Sequence, residues 1–139
     1  MDPVILGEKL ESLRRCIRRL QDKRAASAAE LRADLDLQDI LTLNLSRAVQ
    51  VCVDIAAHIL ADSEEPAPAT MGEAFTALER MGLIDSTLCR HMKAAVGFRN
   101  IAVHRYQEID WEIVHAITCQ HLDDFRKFAQ AVSKQSKRA

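Results

Sequence analysis

The most apolar part of the chain, residues 40–60, reads ILTLNLSRAVQVCVDIAAHIL and contains neither glycine nor proline. Its large apolar side chains recur at intervals of three and four residues, which is the spacing of one helix face. Val51 and Val53 carry apolar surface onto the other side. A helix that is apolar almost all round is central to a fold or forms an oligomer interface. We therefore expect a long central helix over residues 39–60, with Asp34 or Asp36 as its cap.

Four amphipathic helices are expected to pack around this central one. A capping box formed by Thr70 and Glu73 opens a short helix over residues 71–81. The other three are expected at residues 4–26, from residue 85 or 86, and from residue 110. Five helices with short connections predict an all-α, up-and-down bundle. It forms one domain over residues 1–139, with a frayed tail from about residue 133.

Composition limits the class of protein and its compartment. The chain has 139 residues, 48% of them apolar, with four glycines and three prolines, which suits one compact helical domain. Gln50, Asp54 and His58 interrupt the longest apolar run, and the N-terminus lacks a signal-peptide pattern, so no membrane segment is expected. The four cysteines form no C-x-x-C pair. We expect a reduced, cytoplasmic protein.

Charge is segregated along the chain, although its net value is −1. Arginine and lysine crowd the first helix and the C-terminus, whereas acids gather at residues 30–39 and 62–65. A basic surface of this kind permits phosphate binding despite the nearly neutral total. A solvated outer helix face explains the same residues equally well.

The residues with the most chemistry are 99–106, which read RNIAVHRY. Arginine binds a phosphate with its planar guanidinium, and histidine transfers a proton near neutral pH. Such groups can cleave a phosphodiester without a metal ion. On a regular helix Asn100 and His104 share a face, so the amide is placed to orient the imidazole. Tyr106 is two turns from Arg99 on nearly the same face.

Arg99 and His104 are separated by about 140° around a regular helix. One straight helix therefore does not bring both side chains to the same phosphate. Either the helix ends or distorts here, or a second copy of the chain completes the site. A plain surface role for Arg99 is the alternative that spacing alone leaves open.

Residue spacing predicts no metal site. His115 and Cys119 are four residues apart and share a helix face, but two ligands without a third make a poor zinc site. His91 with Cys89 is a weaker pair still. We expect neither a metal nor a cofactor.

The pattern R-N-x3-H-x-Y of residues 99–106 resembles that of the HepT branch of the HEPN superfamily, and the resemblance covers most of the chain. Members of that family are small all-helical ribonuclease toxins encoded beside a minimal nucleotidyltransferase antitoxin. The resemblance implies that Arg99, Asn100 and His104 are catalytic and that two chains form the cleft. It also implies that the antitoxin attaches AMP to Tyr106, which adds negative charge beside Arg99.

These implications define the expected function. The 2′-hydroxyl of an RNA, either a tRNA or an mRNA, attacks its adjacent phosphate while His104 transfers a proton. The products are a 2′,3′-cyclic phosphate and a 5′-hydroxyl. We expect a homodimer with the second and fourth helices at the seam, and we take Arg47, Asp54 and Arg105 as candidates for lining the cleft or binding RNA. The alternatives are a non-catalytic HEPN module that binds a nucleotidyltransferase or a nucleotide, and a helical scaffold without a small ligand.

Overall fold

The computed structural model describes the backbone of residues 1–138 and the side chains of residues 1–135. Its helices are α1 (Pro3–Asp22), α2 (Ala28–Arg32), α3 (Leu35–Ala61), α4 (Met71–Arg80), α5 (Ser86–His104), α6 (Trp111–Ala116) and α7 (Leu122–Arg138). A 3₁₀ turn, Tyr106–Glu108, follows α5, and a π segment, Ile117–His121, joins α6 to α7. No strand occurs in residues 1–138, and the expected all-α class is confirmed.

Helix α3 is the central element of the bundle, as its sequence predicts. It packs against α1, α2, α4, α5 and α7. Its inward side chains are fully buried over about four turns: Leu41, Leu45, Ala48, Val49, Cys52, Ile55 and Ala56. The helix begins earlier than expected, at Leu35, because the side chain of Asp34 accepts a hydrogen bond from the backbone N–H of Leu37.

The short helix α2 is an element that the sequence patterns did not predict. Ser27 caps it by accepting a hydrogen bond from the backbone N–H of Glu30, and Leu31 anchors it in the core. The amide of Gln38, on α3, donates to the carbonyls of Leu31 and Arg32 and so satisfies the end of α2. A five-residue helix presents too little periodicity to be recognised from sequence, and α1 accordingly ends at Asp22 rather than near residue 26.

The C-terminal helix changes its helix type within a continuous helical backbone. Asp110 caps α6 as expected, and α6, the π segment and α7 follow without a break. Fraying was expected from about residue 133, but the helical backbone continues to Arg138. Ala139 lies outside the described residues. Phe128 of α7 packs edge-on against Phe75 of α4, with ring centroids 5.6 Å apart. Both rings are fully buried, so this pair ties the last helix to the core.

Helix α3 also has the length and composition of a membrane-crossing helix, which the sequence analysis did not anticipate. In the fold, 56% of its most apolar window is buried inside the protein. The core helix of a compact bundle meets the same criteria of length and composition. Five other helices pack on α3, so its apolar surface is largely used within the chain.

Candidate active site

The sequence of residues 99–106 spans the end of a helix. Asp85 caps the start of α5 through the backbone N–H of Leu88, and the helix stops at His104. Arg105 leaves the helical conformation, with φ −142° and ψ 54°, while its N–H still donates to the carbonyl of Ile101. The helix thus ends here, but Arg99 and His104 both lie within α5 and remain about 140° apart around it. The expectation that Tyr106 continues the same helical face as Arg99 is wrong, because Tyr106 belongs to the following 3₁₀ turn.

Arg99 and Asn100 are held together at the end of α5. Arg99 is partly buried as a residue, and its guanidinium donates an exposed hydrogen bond to the Oδ1 atom of Asn100 over 3.3 Å. The expected partner of the amide was His104, but among residues 1–135 no hydrogen bond joins these two side chains. His104 is exposed and lies one turn beyond Asn100. The site therefore combines a restrained cation with a histidine that is free to meet a ligand.

Tyr106 is tied to a residue that no sequence spacing indicated. Its hydroxyl donates to the Oδ1 atom of Asp39, on α3, over 2.9 Å. The ring also packs edge-on against Trp111, with centroids 6.1 Å apart. Burial, together with the neighbouring Asp39 carboxylate, raises the pKa of the Tyr106 phenol above its usual value. With 39% of its surface exposed, Tyr106 is both positioned and accessible.

Asp39 begins an exposed face of α3 that carries two of the predicted cleft residues. Asp39, Leu43, Arg47 and Asp54 recur at helical spacing on this face, which we call the open α3 stripe. Along the helix axis Arg47 is about 12 Å from Asp39, and Asp54 is about 22 Å from it. Asp54 instead accepts a hydrogen bond from Gln50 and lies 3.8 Å from the ammonium of Lys9. One chain therefore does not gather Asp54 with residues 99–106.

Arg105 points away from the helix end into solvent. Its Nε atom is 3.4 Å from the Oε2 atom of Glu108, and both side chains are more than half exposed. An exposed pair of this kind adds little stability and breaks easily. Arg105 therefore stays available to a polyanion, close to His104 in the chain.

Two large apolar side chains flank this region without being buried. Leu43, on the open α3 stripe, and Val103, in the last turn of α5, are each 50% exposed. Leu43 is one turn from Asp39 and therefore lies on the face to which Tyr106 is tied. The polar site thus has an apolar surface beside it, built by α3 and α5.

Most of the chain, residues 13–132, matches the family model described as Ribonuclease HepT-like. This chain belongs to the HepT-like ribonuclease family. It is similar to the mRNA nuclease HepT of Shewanella oneidensis, with 36% identity over 135 residues that cover 97% of this chain and 100% of that protein. It is also similar to the tRNA nuclease HepT of Aphanizomenon flos-aquae, with 28% identity over 110 residues, or 79% of this chain and 75% of that one.

A solved structure gives the same assignment from the fold. The tri-AMPylated Shewanella oneidensis HEPN toxin in complex with MNT antitoxin is 36% identical and superposes with a TM-score of 0.88. The match covers 96% of this chain and 99% of that one. The resemblance first noted on residues 99–106 is thus confirmed over the whole HepT-like fold.

The fold also gathers a group of side chains that sequence spacing did not reveal. His91 of α5 lies beside His121 of the π segment and Asp124 of α7. His121 and Asp124 are three residues apart, a helical spacing that hints at a pair, but His91 joins them only through the tertiary fold. The expected neighbours His115 and Cys119 do share a helix face, with the Sγ atom 3.6 Å from the Nε2 atom.

The buried cysteines of this HepT-like domain are structural. Burial raises the pKa of the thiols of Cys16, Cys52 and Cys89. A raised pKa keeps these thiols protonated, and a protonated thiol is a weak nucleophile and a weak metal ligand. They fill space between the helices, which agrees with the absence of any C-x-x-C pair in the sequence.

The basic face of α1 is partly neutralised by an acidic residue on the same helix. Arg14 is paired with Glu11 over 2.6 Å, while Arg15, Arg18 and Arg19 point into solvent. Glu11 lies within reach of Arg15 as well, so part of this charge is neutralised locally. The face is therefore less cationic than its sequence suggests.

Proposed function

We propose that this chain is a metal-independent endoribonuclease toxin whose site is built on Arg99, Asn100 and His104. The observation that carries the proposal is that α5 stops at His104, leaving Asn100 and His104 exposed beside a half-buried Arg99. A restrained guanidinium next to an open imidazole suits a phosphate that is bound on one side and attacked on the other. Membership of the HepT-like ribonuclease family supports the same conclusion.

The reaction follows from these groups. Arg99 holds the scissile phosphate and neutralises the charge that grows on its oxygens. His104 takes the proton from the RNA 2′-hydroxyl as the 2′-oxygen bonds to phosphorus. The bond from phosphorus to the 5′-oxygen breaks, and that oxygen receives a proton from a second imidazole or from water. The products are a 2′,3′-cyclic phosphate and a 5′-hydroxyl, and the RNA is an mRNA or a tRNA, as in the two relatives.

A second copy of the chain supplies the rest of the site. Arg99 and His104 both lie in α5, about 140° apart around the helix, so one chain does not turn both side chains toward the same phosphate. Two chains related by a twofold axis bring two arginines and two histidines to one cleft. Leu43 and Val103 supply apolar surface for the seam, which agrees with α3 and α5 as the elements that meet. In such a dimer the open α3 stripe, with Arg47 and Asp54, faces the partner copy.

Tyr106 is the site at which a nucleotidyltransferase antitoxin attaches AMP. The phenol is exposed enough to reach, and its hydroxyl proton already points to Asp39. As the phenolic oxygen bonds to the α-phosphorus of ATP, pyrophosphate leaves and Asp39 accepts the proton. The solved structure of the tri-AMPylated Shewanella toxin with its MNT antitoxin supports this assignment of partner and modification.

The modification changes the local charge in two ways. It removes the donor that Tyr106 offers to Asp39, and it places a phosphate next to that carboxylate. Like charges at this distance repel, so the 3₁₀ turn is driven away from α3. The same phosphate competes with RNA for Arg99. Regulation therefore uses charge at the cleft and needs no change in the core.

The same assignment gives the compartment, the cofactor requirement and the partner of the protein. The protein acts in the cytoplasm as one HepT-like domain over residues 1–139, without a cofactor, and its partner is the product of a neighbouring nucleotidyltransferase gene. Arg105 contributes a contact to the RNA backbone, because its exposed pair with Glu108 yields easily to a phosphate.

Cleavage of RNA by purified protein made without its partner tests the proposal. Unmodified protein should cut a labelled mRNA or tRNA, and His104→Ala should not. His115→Ala is the matched control, since His115 lies on α6, outside the two helices proposed to form the cleft. Intact mass with and without the neighbouring gene should differ by one or more AMP units.

If the unmodified protein cuts neither RNA, the result would favour a non-catalytic function. The chain would then be a non-catalytic module that binds a nucleotidyltransferase or a nucleotide at the same residues. A gain of AMP without any cleavage would separate that function from a plain scaffold.

A further inference from the structure

A second cluster of polar side chains lies between the N-terminal part of α5, the π segment and α7, away from residues 99–106. The Nδ1 atom of His91 is 3.1 Å from Oδ1 of Asp124, and the Nδ1 atom of His121 is 3.2 Å from Oδ2 of Asp124. One potential ligand atom from each residue lies within 4.8 Å of the other two. The imidazole rings meet edge-on, with centroids 5.6 Å apart. Two imidazoles and a carboxylate thus converge on one point from two helices.

The spacing of these atoms matches the spacing that a zinc ion imposes. Bonds of 2.0–2.2 Å in a tetrahedral site hold neighbouring ligand atoms about 3.3 Å apart. The nitrogen-to-oxygen separations in the cluster are 3.1 Å from His91 to Oδ1 and 3.2 Å from His121 to Oδ2, so each imidazole lies beside a different oxygen of Asp124. Binding of one ion by both imidazoles and one carboxylate oxygen would require the rings and the carboxylate to rotate within the 4.8 Å that separates their ligand atoms. Each imidazole would present Nδ1 without its proton, which moves to Nε2 or to solvent.

An irregular backbone element, the π segment, lies at this cluster. His121 is the last residue of the π segment, and Asp124 lies in the first turn of α7. A π segment inserts an extra residue into a helix, rotates the face that follows, and occurs frequently at functional sites. Here the rotated face is the one that meets His91, so the irregular backbone and the cluster are parts of one arrangement.

The cluster is sheltered and still reachable from solvent. The side chains of His91, His121 and Asp124 are 34%, 45% and 14% exposed. An apolar cavity of about 260 Å³ lies on one side, between α5 and the C-terminal helix, and a cleft of about 400 Å³ lies on the other. Asp85 and Lys127 line that cleft and leave its charge nearly balanced. A fourth ligand, such as water, has room on the cleft side.

We propose that His91, His121 and Asp124 bind one Zn²⁺ ion per chain. The donor set of two imidazoles and one carboxylate suits zinc, which accepts nitrogen and oxygen ligands in a tetrahedral site. The ion fastens α5 to the π segment and α7. His91 and His104 are thirteen residues apart on α5, about 20 Å along the axis, so this ion takes no part in cleavage. The inference stands independently of the proposed ribonuclease activity.

Titration of the whole protein with zinc chloride tests the proposal. Protein treated with EDTA and then dialysed should bind one equivalent of zinc per chain in calorimetry. At a hundredfold excess over the dissociation constant, zinc should raise the melting temperature by roughly 5–10 °C. His91→Gln and Asp124→Asn should each abolish the saturable binding and the thermal shift, and circular dichroism should confirm that both variants are folded.

A control variant distinguishes this cluster from a second pair of potential ligands, which lies in α6 and the π segment. The Sγ atom of Cys119 is 3.6 Å from the Nε2 atom of His115, so these two side chains are the rival ligands. Cys119→Ser should leave the stoichiometry and the thermal shift unchanged, and a cobalt complex should lack the absorption of a thiolate ligand. No saturable binding in the wild type, binding that survives in both cluster variants, or binding lost in Cys119→Ser would overturn the proposal.

Discussion

Helix α5 carries two histidines in contrasting surroundings. His91, in its second turn, is half-buried and contacts Asp124 of the last helix. His104, at its end, is exposed and lies beside residues that are its neighbours in the chain. The first therefore depends on how the helices pack, and the second depends on where α5 stops. A helix that serves as a rigid support in one half leaves its other end free for chemistry.

The largest expected effect is a loss of stability when the packing of α7, whose Asp124 contacts His91, is disturbed. Phe128 is one turn beyond Asp124 on α7 and is fully buried against Phe75. Phe128→Ala should lower the free energy of unfolding by about 3–5 kcal/mol, because it leaves a cavity under the helix that holds Asp124. Urea denaturation measures this loss. Ile113→Ala, at an exposed position on α6, should change stability by less than about 0.5 kcal/mol, and equal losses would refute the comparison.

Substitutions at the exposed C-terminal end of α5 should lower activity and leave stability nearly unchanged. Arg99→Ala and His104→Ala should each slow RNA cleavage by about 10²–10³-fold, by analogy with the loss of one oxyanion donor, and leave the urea midpoint nearly unchanged. The measurement is the single-turnover cleavage rate. A wild-type rate in either variant would contradict the assigned mechanism.

Mixing the two inactive variants sharpens this result. If a cleft is shared between two chains, heterodimers of Arg99→Ala with His104→Ala should regain activity that neither variant has alone. Light scattering should show a dimer for both. No recovery after verified subunit exchange would count against the shared cleft.

The sequence predicted the exposed half of α5 better than the packed half. Residues 99–106 are contiguous, so their chemistry and their family resemblance were visible without a structure. Even there, the spacing failed for Tyr106, because Arg105 ends the helix and no capping glycine or proline marks that end. The central position of α3 also followed from its apolar pattern, since a helix with few polar faces has to be surrounded.

Contacts between distant segments could not be predicted in this way. Asp39 and Tyr106 are 67 residues apart in sequence, and His91 and Asp124 are 33 apart. Only the packing of α3 and the C-terminal helix against α5 brings these pairs together. The π segment was also invisible, because sequence periodicity does not distinguish it from an α-helical turn.

Tyr106 should separate catalysis from regulation. Tyr106→Phe keeps the ring beside Trp111 and loses only the hydrogen bond to Asp39, so the stability cost should be about 0.5–1.5 kcal/mol. The variant should retain most of its RNA cleavage and stay toxic when its nucleotidyltransferase is co-expressed. Normal growth, together with AMP found on another residue, would contradict the assignment.

A smaller effect concerns the phenol itself. Tyr106 is the single tyrosine of the chain, so its ionisation can be followed directly by near-ultraviolet absorbance. A phenol becomes negative as the pH rises, and the Asp39 carboxylate opposes that charge and contributes to the raised pKa. Asp39→Asn should therefore lower the pKa of Tyr106. An unchanged pKa would mean that the Asp39 contact is not made in solution.

The central claim is that an arginine and a histidine at the end of α5 cleave RNA without a metal ion. The most direct measurement is cleavage by unmodified protein in excess EDTA, followed by analysis of the ends of the RNA fragments. The account predicts the same rate as without EDTA, with 2′,3′-cyclic phosphate and 5′-hydroxyl ends, and a rate about 10²–10³-fold lower for His104→Ala. Cleavage that is lost on chelation and restored by magnesium or zinc, or fragments with 3′-hydroxyl ends, would contradict it.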